Sequence, residues 1–432
     1  MTSGPDAEDA KKPSIWARLK HPLRLIGPGL ITGVADDDPS GIATYSQAGA
    51  QFGLNMLWTM PVAYPLMAAI QSMCAQLGRV TGKGLAANMK AAFPRSLVLA
   101  MVLLLLIANT INIAADEAAM GATAEMVTGI DRHIMTIVFV VGTVLALTFI
   151  PYHRYVYFLK WLTLSLLAYV LVLFTVHVPW RDVGLHTLLP RLTLNAQAAT
   201  VVVGLFGTTI SPYLFFWQAS EEVEDMNKAG GNPLLKADSA TATGELQRIR
   251  LDTWSGMFYS NVTAYCIILA TAVTLHIAGI THIETAAQAA GALKPIAGQF
   301  ASLLFSFGIL GVGLIGVPVL AGSGGYAVAE IMGWRWGLER KVTEARGFYA
   351  IIAVSILVSI GIQYSPINPI KALFYSAVIN GIVAVPLIAM IIILVSRKSV
   401  MGAYKVGPTL IVLGWITTAL MGGAVVGMFI PG

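Results

Sequence analysis

Charge is scarce in this chain. Asp, Glu, Lys and Arg together make up 11% of its 432 residues, less than half of the roughly 25% usual in soluble domains. That scarcity excludes a soluble enzyme, a nucleic-acid binder and a disordered scaffold. Cysteine is scarcer still: Cys74 and Cys266 both lie in apolar stretches, so neither a disulfide framework nor a cysteine-based metal site is expected. The seven histidines (His21, His133, His153, His177, His186, His276 and His282) fall in loops or at the ends of apolar runs. None accompanies the acidic clusters described below, which argues against a His-ligated zinc site. The first 20 residues hold no apolar run, so no cleavable signal peptide is expected, and residues 1–20 read as a short disordered cytoplasmic tail.

What the chain has in abundance is apolar sequence: 56% of its residues are hydrophobic. A bilayer core needs roughly 20 apolar residues per spanning helix. Hydropathy places eleven spans at about 24–51, 55–78, 96–127, 133–151, 156–177, 197–224, 251–277, 299–332, 347–364, 371–396 and 406–430. The fold class is therefore an all-α polytopic membrane protein. The lipid bilayer is one partner; nucleic acid is not, because the net charge of +5 is what cytoplasmic loops impart.

Basic residues test the count. With the N-terminus inside, alternating spans put 22 of the 27 Lys and Arg on the cytoplasmic side and leave only Arg132, Arg181, Arg191, Lys294 and Lys371 outside. A missed span would scramble that division downstream of the error, so the positive-inside rule supports eleven spans, with the C-terminus outside. The largest hydrophilic loop, about 225–250, is too short for a second domain. One transmembrane domain, 21–432, is expected.

Two spans carry interruptions. The first contains Asp36-Asp37-Asp38-Pro39-Ser40-Gly41. Three successive carboxylates facing lipid would be costly, Pro39 removes a backbone donor, and Gly41 lets the chain leave helical geometry. An unwound break lining a polar cavity accommodates all of this. A surface turn between re-entrant segments is the alternative, but the charge count requires the aspartates to lie inside one span.

The sixth span repeats the feature as Gly207-Thr208-Thr209-Ile210-Ser211-Pro212-Tyr213. Each interrupted span opens a group of five, and five is odd, so the second group is inverted relative to the first. The repeats run over about 24–178 and 197–396, with an extra helix at 406–430. Broken helices at matching positions of inverted halves point to a mid-membrane substrate site, and carboxylates there favour a cation. In the third span, Asn109, Asn112 and Asp116 share a face at i, i+3, i+7 spacing, Glu117 lies about 100° away, and Glu125 is near the extracellular end. Buried acids of this kind are proton-relay candidates or interhelical hydrogen-bonding groups. Small-residue runs such as Gly308–Gly313 look like close helix contacts.

These residues resemble a known family. Asp38-Pro39-Ser40-Gly41-Ile42-Ala43-Thr44, followed by Gln47-Ala48-Gly49-Ala50-Gln51-Phe52-Gly53, is similar to the first-helix signature of the NRAMP divalent-metal transporters, and Gly207 to Tyr213 to their sixth-helix motif. Ala114-Ala115-Asp116 resembles their proton-pathway segment. The resemblance implies a LeuT-type fold of two inverted five-helix repeats plus one helix. It also implies a metal site at Asp38 and the Thr208 carbonyl, with Ser211 standing where the family has a thioether ligand and Gly41 where it has an Asn. Asp37 adds charge beside this set. Tyr213 replaces the family's His, Ala119 its second third-helix acid, and Ala377 its tenth-helix Gln.

Loss of the thioether removes a preference for soft transition metals and leaves room for a cation that keeps its water. The expected function is import of a hard, partly hydrated divalent ion by alternating access. Mg²⁺ is preferred and Mn²⁺ tolerated, as in an NRAMP-related magnesium-transporter branch. Proton coupling is expected to be weak or absent, with Asp116, Glu117, Asn112 and Tyr213 as the polar pathway. A proton-coupled Mn²⁺/Fe²⁺ transporter is the alternative within the family. Outside it stand an amino-acid carrier of the same fold, which three aspartates would disfavour by repelling the substrate carboxylate, and an aspartate-rich prenyl transferase, which lacks a second acidic cluster with basic groups. No enzyme activity and no cofactor are expected beyond the transported ion; the sequence leaves the oligomeric state open, a monomer being plausible.

Overall fold

The computed structural model describes residues 28–150, 164–190, 195–236, 238–364 and 368–429. The expected tail at 1–20, the start of the first span, the first half of the fifth with Arg154 and Lys160, and Arg191 lie outside these residues.

Among the described residues the structure is helical, without strands. The first span is two helices, α1 (Pro28–Asp36) and α2 (Pro39–Phe52). The next four are α3 (Thr59–Thr81), α4 (Arg95–Thr128), α5 (Arg132–Phe149) and α6 (Leu167–Thr175). The sixth span is again two helices, α7 (Ala196–Thr209) and α8 (Pro212–Lys228). The chain continues with α9 (Ser239–Thr271), α10 (Ala301–Met332), α11 (Arg346–Gln363), α12 (Pro369–Ser396) and α13 (Pro408–Gly427). Seven helical stretches are long and apolar enough to cross a membrane on those grounds alone.

One boundary differs from the sequence reading. The polar stretch near 225–250 is mostly helix: α8 runs to Lys228 and α9 begins at Ser239, with the Asp238 side chain accepting from Thr241 N at its N-terminus. The Thr241 side chain and, after it, the Thr241 N–H lower the Asp238 carboxyl from its ordinary value. Hydropathy missed this helical turn because its stabilising groups are charged: Arg248 pairs with Glu222 and Glu245, and Glu245 with Arg79.

The helices wrap around the two breaks. Helix α9 packs on α1, α2 and α3; α12 packs on α4 and α7; α10 packs on α4 and α8. Glycine permits the closest approaches. A Cβ at Gly33 would lie 2.2 Å from the Gly256 carbonyl oxygen, and one at Gly78 2.2 Å from that of Ala219. The glycines of α10 behave as the small-residue pattern implies: Gly313 faces Met120 and Pro39, and Gly316 faces the Asp38 Cβ. Large apolar side chains instead form an exposed outer belt, among them Leu103, Val138, Phe149, Leu171, Val354 and Val412. Apolar exposure on this scale is the surface a bilayer solvates.

Candidate functional site

The two breaks share one construction. Helix α1 ends at Asp36; Asp38 is the N-cap of α2, and Pro39 its first residue. Helix α7 ends at Thr209; Ser211 is the N-cap of α8, and Pro212 its first residue. Proline suits a first helical turn because its missing N–H would be unbonded there anyway. It also leaves the carbonyl four residues earlier without its helical donor. Pro39 thereby frees the Ala35 carbonyl, and Pro212 that of Thr208.

Both freed carbonyls are met by hydroxyls from the second break. Tyr213 Oη donates to Ala35 O at 3.1 Å, and Ser211 Oγ donates to Thr208 O at 2.7 Å and to Gly207 O at 3.0 Å. Tyr213 Oη also stands 3.4 Å from Asp38 Oδ2, so a single phenol links the two halves of the site.

Asp38 is the best-satisfied acid of the group. Its Oδ1 accepts from Ser40 Oγ at 2.6 Å and from Gly41 N at 2.8 Å. Its Oδ2 accepts from Asn112 Nδ2 at 3.0 Å, and Asn112 Oδ1 in turn accepts from Ser376 Oγ at 2.6 Å. Asn112 and Ser376 thereby place α4 and α12 around the first break. Charge-assisted bonds of this kind fix the carboxylate's direction.

Asp36 and Asp37 turn elsewhere. Ser260 Oγ on α9 lies 2.6 Å from Asp36 Oδ2 and 3.1 Å from Asp37 Oδ1, while the other oxygen of each acid has no hydrogen-bond partner. Consistent with that divergence, no three His, Cys, Asp or Glu side chains converge as a metal cage among the described residues. A cation held here would rely on one carboxylate, main-chain carbonyls, hydroxyls and retained water. Such a donor set is hard.

The remaining predicted residues are placed as follows. Thr208 Oγ1 is buried and unpartnered, and a Cβ on Gly41 would stand 3.0 Å from it. Gly41 and Gly207 do not unwind the chain as the sequence reading supposed. Both are helical without positive φ, and their lack of a side chain serves approach: Gly41 to Thr208 and Tyr45, Gly207 to the backbone of Ala377 and Gly381. Asp116 is buried with neither carboxylate oxygen hydrogen-bonded. Glu117 faces away toward α11, where Ser359 donates to it. Asn109, expected on the Asp116 face, is tied to α10 through Leu320 O and Ser323 Oγ. The structure therefore groups Asp38, Asn112, Ser211, Thr208, Tyr213 and Gly41, and sets Asp37 and Glu117 apart from them.

Sequence reasoning did not find Ser260, Ser376 or the Ala35 carbonyl. The serines are isolated hydroxyls in apolar helices and carry no pattern. The carbonyl was readable, because a proline identifies the acceptor it frees four residues upstream.

Residues 29–431 match the family model described as Nramp, natural resistance-associated macrophage protein-like. Among curated relatives, a divalent metal cation transporter MntH of Acidiphilium cryptum is 28% identical, across 95% of this chain and 89% of its own length. The MntH of Verminephrobacter eiseniae is also 28% identical, across 89% and 83%. Among solved structures, the Eremococcus coleocola manganese transporter, in complex with an aromatic bis-isothiourea substituted compound, superposes with a TM-score of 0.74. Its identity is 16%, over 96% of this chain and 88% of that one. Mhp1, a nucleobase-cation-symport-1 family transporter, superposes in its closed conformation at 0.59, with 13% identity over 93% and 92%. The fold is thus the LeuT-type arrangement that the family resemblance implied.

Proposed function

The chain belongs to the Nramp family, and on that premise we propose that it transports a divalent metal cation through the two helix breaks by alternating access. The observation carrying this reading is that Tyr213 of the second break reaches both Asp38 Oδ2 and the Ala35 carbonyl of the first, while Thr208 packs against Gly41. Asp38 supplies the charge and the Ala35 and Thr208 carbonyls supply neutral oxygen, with the Ser211 hydroxyl, and Tyr213 of the polar pathway, facing the ion through its retained water. Asp37 adds long-range attraction from beside Ser260. The relatives' names, divalent metal cation transporter and manganese transporter, support transport rather than catalysis.

The preference for Mg²⁺, with Mn²⁺ tolerated, rests on the donors. The groups the two breaks offer are all oxygen: the Asp38 carboxylate, the Ala35 and Thr208 carbonyls and the Ser211 and Tyr213 hydroxyls. Mg²⁺ is commonly held by one or two carboxylates with several waters kept, whereas a soft metal gains little from such a set. We read weak or absent proton coupling from Tyr213 and Ala119, which stand where the family has a His and a second acid. Glu117, tied to Ser359 on another face, and Asp116, which has no titratable hydrogen-bond partner, support that reading. The positive-inside distribution puts residues 1–20 in the cytoplasm and the C-terminus outside, with 21–432 as one domain of a cell membrane protein.

Uptake into liposomes holding the purified protein, comparing Mg²⁺, Mn²⁺, Ca²⁺ and Cd²⁺ while recording internal pH, tests the reading. Mg²⁺ uptake without acidification is expected. Strong Cd²⁺ uptake with no response to Mg²⁺ would sink the ion preference; acidification that tracks metal and vanishes in Asp116→Asn would sink the uncoupled reading.

A further inference from the structure

The Tyr213 hydroxyl uses the same lone pairs that a bound cation would need. It donates to the freed Ala35 carbonyl at 3.1 Å and faces Asp38 Oδ2 at 3.4 Å. Ser211 does the same at the other break, donating to the freed Thr208 carbonyl at 2.7 Å. Tyr213 and Ser211 are both almost wholly buried, as are Asp38 and Thr208, so no bulk water reaches these acceptors in this arrangement. An unsatisfied buried carbonyl is costly. The two hydroxyls remove that cost without any ion.

We propose that Tyr213, seconded by Ser211, is a built-in competitor for the cation: its hydroxyl satisfies the site's freed carbonyl and carboxylate whenever the ion is not there. The inference rests on the cation-transport reading above. It adds that Tyr213 acts against binding and in favour of turnover. A carrier without proton coupling must return to the outward side without its ion. Two broken helices lined by bare carbonyls and an unshielded carboxylate would resist closing around nothing. With Tyr213 bridging α1 and α8 and Ser211 capping Thr208, both freed carbonyls and Asp38 keep hydrogen bonds in the cation-free form. When the ion arrives, the phenol gives up its bond to Ala35 and presents lone pairs to the ion's remaining water. No atom is exchanged; one hydrogen bond is traded for one coordination contact.

The test separates a competitor from a ligand by the sign of the affinity change. In detergent, Mg²⁺ and Mn²⁺ titrations of Tyr213→Phe by calorimetry should show tighter binding than wild type by about threefold to tenfold, the worth of one hydrogen bond of about 0.5–1.5 kcal/mol. In liposomes, net uptake into metal-free vesicles should fall by a comparable factor. Exchange between vesicles and medium that both contain the ion should stay near wild type, because exchange skips the cation-free return. Ser211→Ala should shift affinity in the same direction, and it serves if Tyr213→Phe proves too unstable to purify. Weaker or unchanged binding in the variants, or equal loss of net uptake and exchange, overturns the proposal. Absence of any divalent-cation binding or uptake by the wild-type protein would instead overturn the functional reading on which it rests.

Discussion

Asn112 of α4 donates Nδ2 to Asp38 Oδ2 at 3.0 Å while accepting from Ser376 of α12, so three spans meet at one amide. The Asp38 carboxylate only accepts, so it meets the NH₂ end of the amide. Ser376, which also reaches Leu373 O at 2.7 Å, closes the other end and steadies that orientation. Replacing Asn112 by Ala removes the charge-assisted bond, worth about 1.5–3 kcal/mol, that aims Asp38 at the site; Asn112, unlike Tyr213, caps no freed carbonyl, so its loss uncovers no ligand for the ion. The apparent affinity for Mg²⁺ or Mn²⁺ should weaken by about tenfold to a hundredfold, with Ser376→Ala showing a smaller loss. Concentration dependence of initial uptake rates checks both; equal effects would mean that Ser376 does more than orient the amide.

The three successive aspartates are expected to separate in function because they separate in space. Asp38 faces Asn112 and Tyr213, whereas Asp36 and Asp37 share the Ser260 hydroxyl on α9. Asp38→Ala should abolish uptake of every divalent ion. Asp37→Asn should retain it with reduced affinity, since Asp37 is buried beside Ser260 and acts on the ion only through its charge. Uptake surviving in Asp38→Ala but lost in Asp37→Asn would show that the ion sits one residue earlier along the break.

Much of this site could be read from sequence, and the part that could not has a physical reason. Asp38, Pro39 and Pro212 were legible because charge and proline are conspicuous in apolar helices, and the inverted repeat follows from counting spans between them. The role of glycine was misread. Gly41 and Gly207 look like helix breakers, yet they are helical and serve close packing, which depends on neighbours that hydropathy does not reveal. Ser260 and Ser376 were invisible for a similar reason: one hydroxyl among apolar residues acquires meaning only from the acid or amide that folding brings to it. The cytoplasmic start of α9 was missed because its helical turns are held by ion pairs, and an apolar scale counts those residues as loop.

Gly207 supplies a direct check on that packing argument. A Cβ there would stand 2.0 Å from the Ala377 carbonyl oxygen and 2.5 Å from Gly381 N, both backbone atoms that cannot rotate away. Gly207→Ala must push α7 from α12, and overpacking of this kind costs about 1–3 kcal/mol. The melting temperature in detergent should drop by several degrees and uptake should fall with it. Gly142→Ala, where a Cβ meets nothing within 4 Å, should leave both unchanged. A neutral Gly207→Ala would mean that α7 and α12 are not held this closely.

Far from the breaks, Glu222 near the end of α8 is completely buried, and its Oε2 accepts from Arg248 Nη2 of α9 at 2.5 Å. Arg248 also bonds Glu245, which pairs with Arg79 of α3 at 3.1 Å. These ion pairs join three helices at the end where the positive-inside rule places the cytoplasm. A buried pair loses more when one partner is removed than it contributes as a whole, because the survivor is left charged and desolvated. Arg248→Met should therefore cost about 1–3 kcal/mol, below the usual range for a fully buried pair because Arg248 is 32% exposed. The double variant Glu222→Gln with Arg248→Met carries no stranded charge and should recover much of that stability. Thermal melts of the two singles and the double give the coupling directly. Because α8 carries Ser211 and Tyr213 at its other end, Arg248→Met should also make a cysteine placed at Ser220 react faster with a thiol reagent applied from the cytoplasmic side. If the double variant is as unstable as the sum of the singles, the pair is not coupled and these helices are held together by their apolar contacts alone.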